Sequence, residues 1–423
     1  MSCCRMKGDG LILGISTIGI GVAIATLLNF AFQLAMGNYL QEHEFSTLIA
    51  FLGLISIFSL PLGVFESETA VTISNKHSRL PIDFGKNVSF FTPKRKHLFR
   101  LYIIALIICV ISIPVSGSVE RLTTGILFGL IILILVMFRV RLGMFQGKKE
   151  YPVFAISNVV NSSVKLGVGI GILVFTDIGY FSGIIAIMLG LMAGVFFLNG
   201  KKSRIHGEQK NKDYLSSNKG PDLNIIISLV FLGLMLNWDV IVANHVLQQN
   251  EAGQYSFSAV LAKLVVIASS AIIGVMIPSI SEMESPLEEF GILKKLLLGY
   301  VFFALPVLAF ATFFDVRIIE IIFFRSESET INGLLPIIVF CYIVTSVSQI
   351  LVFYAIARHE IKERIGILSL TSIVPIFSVF FIDSLQALYS VMVGYSMMNC
   401  ILLLSKELIA LKKLKRENLR PKI

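Results

Sequence analysis

The sequence predicts an all-α, polytopic membrane protein of about twelve transmembrane helices in two pseudo-symmetric six-helix lobes. Three observations carry that expectation. Of 423 residues, 55% are hydrophobic and only 15% charged, with mean hydropathy +0.83, which leaves too little polar surface to wrap a water-soluble body. Apolar runs of roughly 17–25 residues, the length that crosses a hydrocarbon core of about 30 Å, recur along the whole chain. Basic residues gather in alternate connections between those runs.

The first run, Leu11 to Met36, is too long for a signal-peptide core and lacks a clear cleavage site, so it reads as a retained helix. A short connection, Asn38–Glu44, leads to the second span, 45–73, which contains Pro61, Gly63, Glu66 and Glu68. Spans at 98–115, 123–143, 153–176 and 183–199 complete an N-terminal lobe of residues 1–199. Residues 200–222 are polar and form a linker. The C-terminal lobe, 223–409, holds spans at 223–247, 256–279, 297–316, 334–357, 366–381 and 387–409, and a basic tail occupies 410–423.

Charge orients these spans. Of 36 Lys and Arg residues, 31 fall on the side of the N-terminus, the linker and the tail. Three (Arg121, Arg317, Arg325) fall opposite, and Lys165 and Lys263 lie inside helices. That bias, with an even helix count, places both termini in the cytoplasm. The same distribution excludes nucleic acid as a partner despite a net charge of +9, because no soluble domain carries a basic groove with stacking aromatics. The opposite connections are short except for Asp315–Asn332, which leaves no platform for a membrane-bound enzyme. Cys3, Cys4, Cys109, Cys341 and Cys400 have neither metal-ligand spacing nor a partner loop for a disulfide. Gly167-x-Gly169-x-Gly171 follows no strand and reads as close helix packing rather than a dinucleotide site.

The chain also repeats itself. Asn38-Tyr-Leu-Gln41 precedes a helix, and His245-Val-Leu-Gln248 precedes another at an offset of 207 residues. Phe145–Glu150 and the stretch from Tyr354 to Glu360 stand between helices at an offset of 209. Such agreement points to two six-helix halves repeated about an axis normal to the membrane.

Ionisable side chains at a helix centre cost about 2.5–3.5 kcal/mol on insertion scales, so each needs a partner or a wet cavity. Asn158, Asn161, Ser162 and Lys165 fall at i, i+3, i+4 and i+7 on one helix and form a single polar stripe. Lys165 lies near the midplane, where a cation beside amide and hydroxyl groups suits an anionic ligand such as a diphosphate; alternatively it pairs with a fixed carboxylate and joins helices. Asn29 and Gln33 share one face of the first helix, and Asn29 stands 208 residues before Asn237. Asp239 and Lys263 fall at similar depths on either side of a short turn and are expected to meet, as a permanent ion pair or as a switching pair in which Asp239 binds the coupling cation. Glu66 and Glu68 point to nearly opposite faces, so at most one of these further ion-coupling candidates faces a cavity, and an interfacial, solvated pair is the alternative. Tyr342, Ser346 and Gln349 make another stripe, serving packing or lining.

Several segments resemble a known family. Asn29…Gly37-Asn-Tyr…Glu44-Phe45 is similar to the first hairpin of polysaccharide flippases, the lipid-linked oligosaccharide (O-antigen-type) branch of the superfamily that includes the multidrug (MATE) exporters. Trp238-Asp239…Asn250-Glu-Ala-Gly-Gln-Tyr255-Ser-Phe-Ser-Ala259…Lys263 and Ile277-Pro278-Ser-Ile-Ser281 resemble that family's seventh and eighth helices. Ile318-Ile-Glu-Ile-Ile-Phe-Phe324 and Leu334-Leu-Pro-Ile337 resemble its ninth and tenth. Leu34-Ala-Met36 departs from the pattern, standing where many members carry an arginine.

The resemblance implies a MATE-like bundle with a central cationic cavity, in the bacterial cytoplasmic (inner) membrane. It would flip an undecaprenyl-diphosphate-linked oligosaccharide by alternating access, with hinges at Pro61, Pro114, Pro306 and Pro375. Lys165, Asn158, Asn161, Ser162, Asn29, Gln33 and Lys263 are the expected substrate-cavity residues. Expected partners are the lipid-linked oligosaccharide, membrane lipids, H+ or Na+ as coupling ion and a polysaccharide polymerase complex; no cofactor, metal or catalytic residue is expected. The alternative is a cation-coupled small-molecule (multidrug-type) exporter, which would need a net acidic interior.

Overall fold

Water is absent from the hydrocarbon core, so every backbone N–H and C=O in an apolar run must be bonded within its own segment, and a helix is the form that does this for a single run. A computed structural model describes residues 2–75, 118–201, 223–281, 283, 285–323, 334–358 and 360–418. The predicted span 98–115, with Cys109 and Pro114, lies outside them, as does nearly all of the 200–222 linker. Among the described residues the structure is all-helical, with twelve helices and no strand. They are α1 (Ser2–Tyr39), α2 (Glu42–Asn75), α3 (Ser118–Gly147), α4 (Tyr151–Phe175), α5 (Phe181–Gly200) and α6 (Leu223–Val246), then α7 (Gln249–Ala262), α8 (Leu264–Ser281), α9 (Pro286–Phe323), α10 (Leu334–Ala357), α11 (Lys362–Ser378) and α12 (Leu385–Asn418).

Among the described residues ten spans are long and apolar enough to cross a membrane, α7 and α8 counting as one from Gln249 to Ile277. Each remaining predicted span coincides with a helix, although α11 has only 17 residues. The largest boundary difference is in α9, which begins at Pro286 rather than near residue 297. Its first turns carry Glu288, Glu289, Lys294 and Lys295, which end the apolar signal without ending the helix. At its other end α9 runs on to Phe323 and takes up the first part of the predicted connection 315–332. Helix ends recur at the offsets read from the sequence: α1 and α6 end at Tyr39 and Val246, and α2 and α7 begin at Glu42 and Gln249.

Large apolar side chains cover the outside. Phe175, Phe302 and Phe313 are 85%, 82% and 81% exposed, a surface suited to lipid and not to water.

The chain divides into two compact units. The first comprises Met1–Tyr39 and Phe58–Leu223, the second Leu40–Ile57 and Asn224–Ile423, so α2 contributes its first part to the second unit and the rest to the first. In lipid, helices gain little by burying apolar surface against one another, and close approach at small residues takes over. The first unit shows this where α2 meets α3. A Cβ on Gly143 would strike the backbone of Glu66, and one on Gly147 would come within 2.9 Å of Ile73 Cβ. In the second unit Phe45 of α2 stacks on Phe257 of α7 with ring centroids 4.7 Å apart. Asn244 of α6 donates to Ser46 Oγ at 2.7 Å. Thr371 of α11 donates to Asn399 of α12 at 2.6 Å, and Ser269 of α8 to Gln349 of α10 at 2.9 Å. Interhelical hydrogen bonds of this kind are worth about 0.6 kcal/mol each.

Candidate functional site

In the first unit the polar stripe of α4 faces α1 and α5. The helix starts at Tyr151 with Pro152 in its opening turn, where a missing N–H costs nothing. Asn158 spends its amide hydrogen on the carbonyl of Phe154 at 3.0 Å. Ser162 is buried, and its hydroxyl has no partner among the described residues. The Oδ1 of Asn29 on α1 is likewise buried with no partner among them, and Gln33 one turn on is half-buried.

Lys165 completes the stripe. Its Nζ lies 4.9 Å from the centre of the Phe32 ring, and among the described residues no carboxylate oxygen comes within 4.0 Å of it. The fixed-pair reading of this lysine therefore finds no acid among the described residues. A cation held against a ring face, with the Ser162 hydroxyl on the same helical stripe free to donate, can accept an anionic group, whereas Asn29 Oδ1 is an acceptor and suits a hydroxyl.

Gly190 of α5 sets how closely that stripe is approached. A Cβ there would stand 2.7 Å from the Asn161 carbonyl oxygen and 2.9 Å from Lys165 Cβ. Gly190→Val is expected to lower stability by about 1–3 kcal/mol through overpacking, read as a drop in melting temperature in detergent. Of the Gly167, Gly169 and Gly171 series, only Gly169 packs closely, where a Cβ would come within 2.9 Å of Phe32.

In the second unit Asp239 is buried, and its Oδ2 accepts hydrogen bonds from Tyr255 at 2.6 Å and Tyr342 at 2.7 Å. The expectation that Asp239 meets Lys263 directly is corrected here. Lys263 Nζ donates instead to Asn237 Oδ1 at 3.0 Å and lies 5.7 Å from the centre of the Tyr342 ring. Tyr342 thus joins the two charges, with its hydroxyl on the acid and its ring beneath the cation. The reason is helical position. Lys263 falls at the break between α7 and α8, and its Nζ reaches Asn237, two residues before Asp239 on α6. Of the α10 stripe, Tyr342 serves Asp239 and Gln349 accepts from Ser269, while Ser346 is buried.

Glu66 is 9% exposed and accepts from Arg139 of α3 at 2.8 Å. The side chain of Glu68 lies outside the described residues.

Sequence reasoning missed one cluster. Arg364 of α11, 1% exposed, donates Nε and Nη2 to Glu407 Oε1 of α12 at 3.2 and 2.8 Å, and lies 3.1 Å from Glu360. Arg358 reaches Glu289 of α9 at 2.8 Å and Glu360 at 3.0 Å. These arginines read as ordinary connection charges. The available signal was Glu407, a carboxylate inside the apolar run 387–409. Tyr255 was missed too, since a tyrosine near a helix start carries no mark of being a carboxylate ligand.

No protein-family profile and no curated protein matches the chain by sequence. Solved structures match its fold. An inward-facing multidrug resistance MATE family transporter of the MOP superfamily is 13% identical with TM-score 0.65, covering 93% of this chain and 95% of that one. The outward-facing form of a MATE family transporter gives TM-score 0.60 at 13% identity, covering 95% and 96%. A MOP superfamily transporter from Pyrococcus furiosus, described by a reverse polarity of its binding pocket that suggests a different function, gives TM-score 0.61 at 15% identity, covering 95% and 96%. The chain has the MATE-like fold of these membrane transporters.

Proposed function

We propose that this protein is an alternating-access transporter that flips an undecaprenyl-diphosphate-linked oligosaccharide from the cytoplasmic to the outer leaflet of a bacterial cytoplasmic membrane, for surface polysaccharide synthesis. The observation that carries the reading is Lys165, an intramembrane cation with no carboxylate partner among the described residues. A site for organic cations needs the opposite sign. In this reading Lys165, with Asn158, Asn161, Ser162, Asn29 and Gln33, binds the diphosphate and first sugars while the polyprenyl chain stays in lipid. Asp239 takes the coupling ion, H+ or Na+. The fold is also found with a reversed pocket polarity in the Pyrococcus furiosus neighbour, so the fold does not fix the polarity of its pocket.

A second reading, a cation-coupled multidrug-type exporter, is favoured by the multidrug transporters among the fold neighbours and by the buried carboxylate of Asp239. Vesicles containing the purified protein separate the two. A fluorescent undecaprenyl-diphosphate disaccharide is expected to cross protein-containing vesicles and not empty ones, whereas ethidium efflux is expected to be the same in both. Ethidium export with no movement of the lipid-linked sugar would overturn the proposal.

A further inference from the structure

A groove of about 500 Å³ runs along the second unit where α9 and α12 diverge, with Leu351 of α10 at its floor. Its walls are apolar, with Leu297 and Val301 on one side and Leu404 and Leu408 on the other. Two charged side chains line it, Lys294 and Glu407. They are not equivalent. Glu407 is 4% exposed, and its carboxylate is taken up by Arg364. Lys294 is exposed and has no carboxylate within 4.0 Å among the described residues. The groove therefore presents one uncompensated cation at the head of an apolar slot.

Its height on the helices fits an interface. Lys294 lies eight residues into α9, about 12 Å from the helix start, just beyond the charged turn of Glu288 and Glu289 and before the uninterrupted apolar run. From Lys294 to Val301 the slot extends about 10 Å further along the helix. At the same level the Arg358–Glu289 and Arg364–Glu407 pairs tie α9, α10, α11 and α12 together, so the groove is a fixed shape rather than a gap between loose helices.

We propose that the α9–α12 groove is a binding site for an anionic phospholipid, with one acyl chain lying between Leu297 and Leu408 and the headgroup phosphate held by Lys294. Charge complementarity selects this occupant. A zwitterionic lipid brings its own cation to Lys294, whereas an anionic headgroup leaves its phosphate for it. Basic pockets between transmembrane helices bind anionic headgroups in this way. The site is separate from the polar stripe of α4 and does not depend on the transport proposal.

The test uses phosphatidylglycerol carrying a photoactivatable diazirine within one acyl chain, added to the full chain in vesicles of phosphatidylcholine. After illumination, labelled peptides are expected from α9 around Leu297 and from α12 around Leu408. Excess phosphatidylglycerol should compete several-fold better than excess phosphatidylcholine. Lys294→Glu is expected to reduce this labelling by about fivefold or more, the equivalent of about 1 kcal/mol for one surface cation. Lys201→Glu, an exposed lysine of the first unit with the same change in charge, should leave it unaltered. Leu408→Trp, at a position already 52% exposed, should fill the slot and abolish labelling without lowering the melting temperature. Labelling spread evenly over the apolar surface, or unchanged in Lys294→Glu, would overturn the proposal. So would protection of the groove by a second copy of the chain, seen as a cross-linked dimer.

Discussion

Lys165→Met is expected to reduce flipping of the lipid-linked sugar by about 10- to 100-fold while leaving the protein as stable as before, or more so. A hydrogen bond to a charged group contributes about 1.5–3 kcal/mol, which converts to that range of rates when the interaction is lost in the rate-limiting state. The stability half of the result separates the site reading from a helix-joining role. Lys165 Nζ lies over the Phe32 ring and has no acid partner among the described residues, so removing its charge removes the cost of holding a cation in hydrocarbon. Lys165→Arg should restore transport in part, since charge is kept while the shape of the donor changes. A Lys165→Met protein that melts several degrees lower, with transport intact, would show that the residue is structural.

Arg364→Leu is expected to destabilise the protein by about 3–5 kcal/mol, because it leaves the Glu407 carboxyl, 4% exposed, without its donor. The double change Arg364→Leu with Glu407→Leu should recover most of that loss. Replacing both members of a buried pair by apolar side chains is often neutral, whereas removing one is not. Unfolding in mixed micelles on the four proteins of this double-mutant cycle gives the coupling directly. If the single change costs less than about 1 kcal/mol, water reaches the cluster and the pair is an ordinary interfacial one.

The site was legible to different depths at different residues. Lys165 and its stripe could be read because a lone cation in an apolar run is conspicuous and because Asn158, Asn161 and Ser162 fall at helical spacing from it. Asp239 was legible for the same reason, but its partners were not. Tyr255 and Tyr342 stand 16 and 103 positions away, and nothing local distinguishes them from tyrosines that face lipid. The direct Asp239–Lys263 pair was inferred from depth alone. Depth places two residues at one level without fixing which way their helices are turned, and it is Asn237 that faces Lys263. Glu66 was read against its neighbour Glu68, whereas its partner Arg139 comes from another helix brought close by Gly143.

Composition and run length determined by themselves that the chain lies in a membrane, that it is helical and, among the described residues, where its apolar spans fall. Hydrocarbon offers the backbone no hydrogen-bonding partner, so an apolar run of sufficient length has one available form whatever surrounds it. The positions of Lys165, Asp239 and Lys263 were determined in the same way, by their conspicuous cost. The tertiary structure alone decided how each charge is accommodated: two tyrosines on Asp239, an asparagine for Lys263, a ring for Lys165 and a buried glutamate for Arg364. Many polar groups can relieve the same cost, and the choice among them rests on the rotation and height at which helices pack, which glycine contacts and interhelical hydrogen bonds set over long sequence separations.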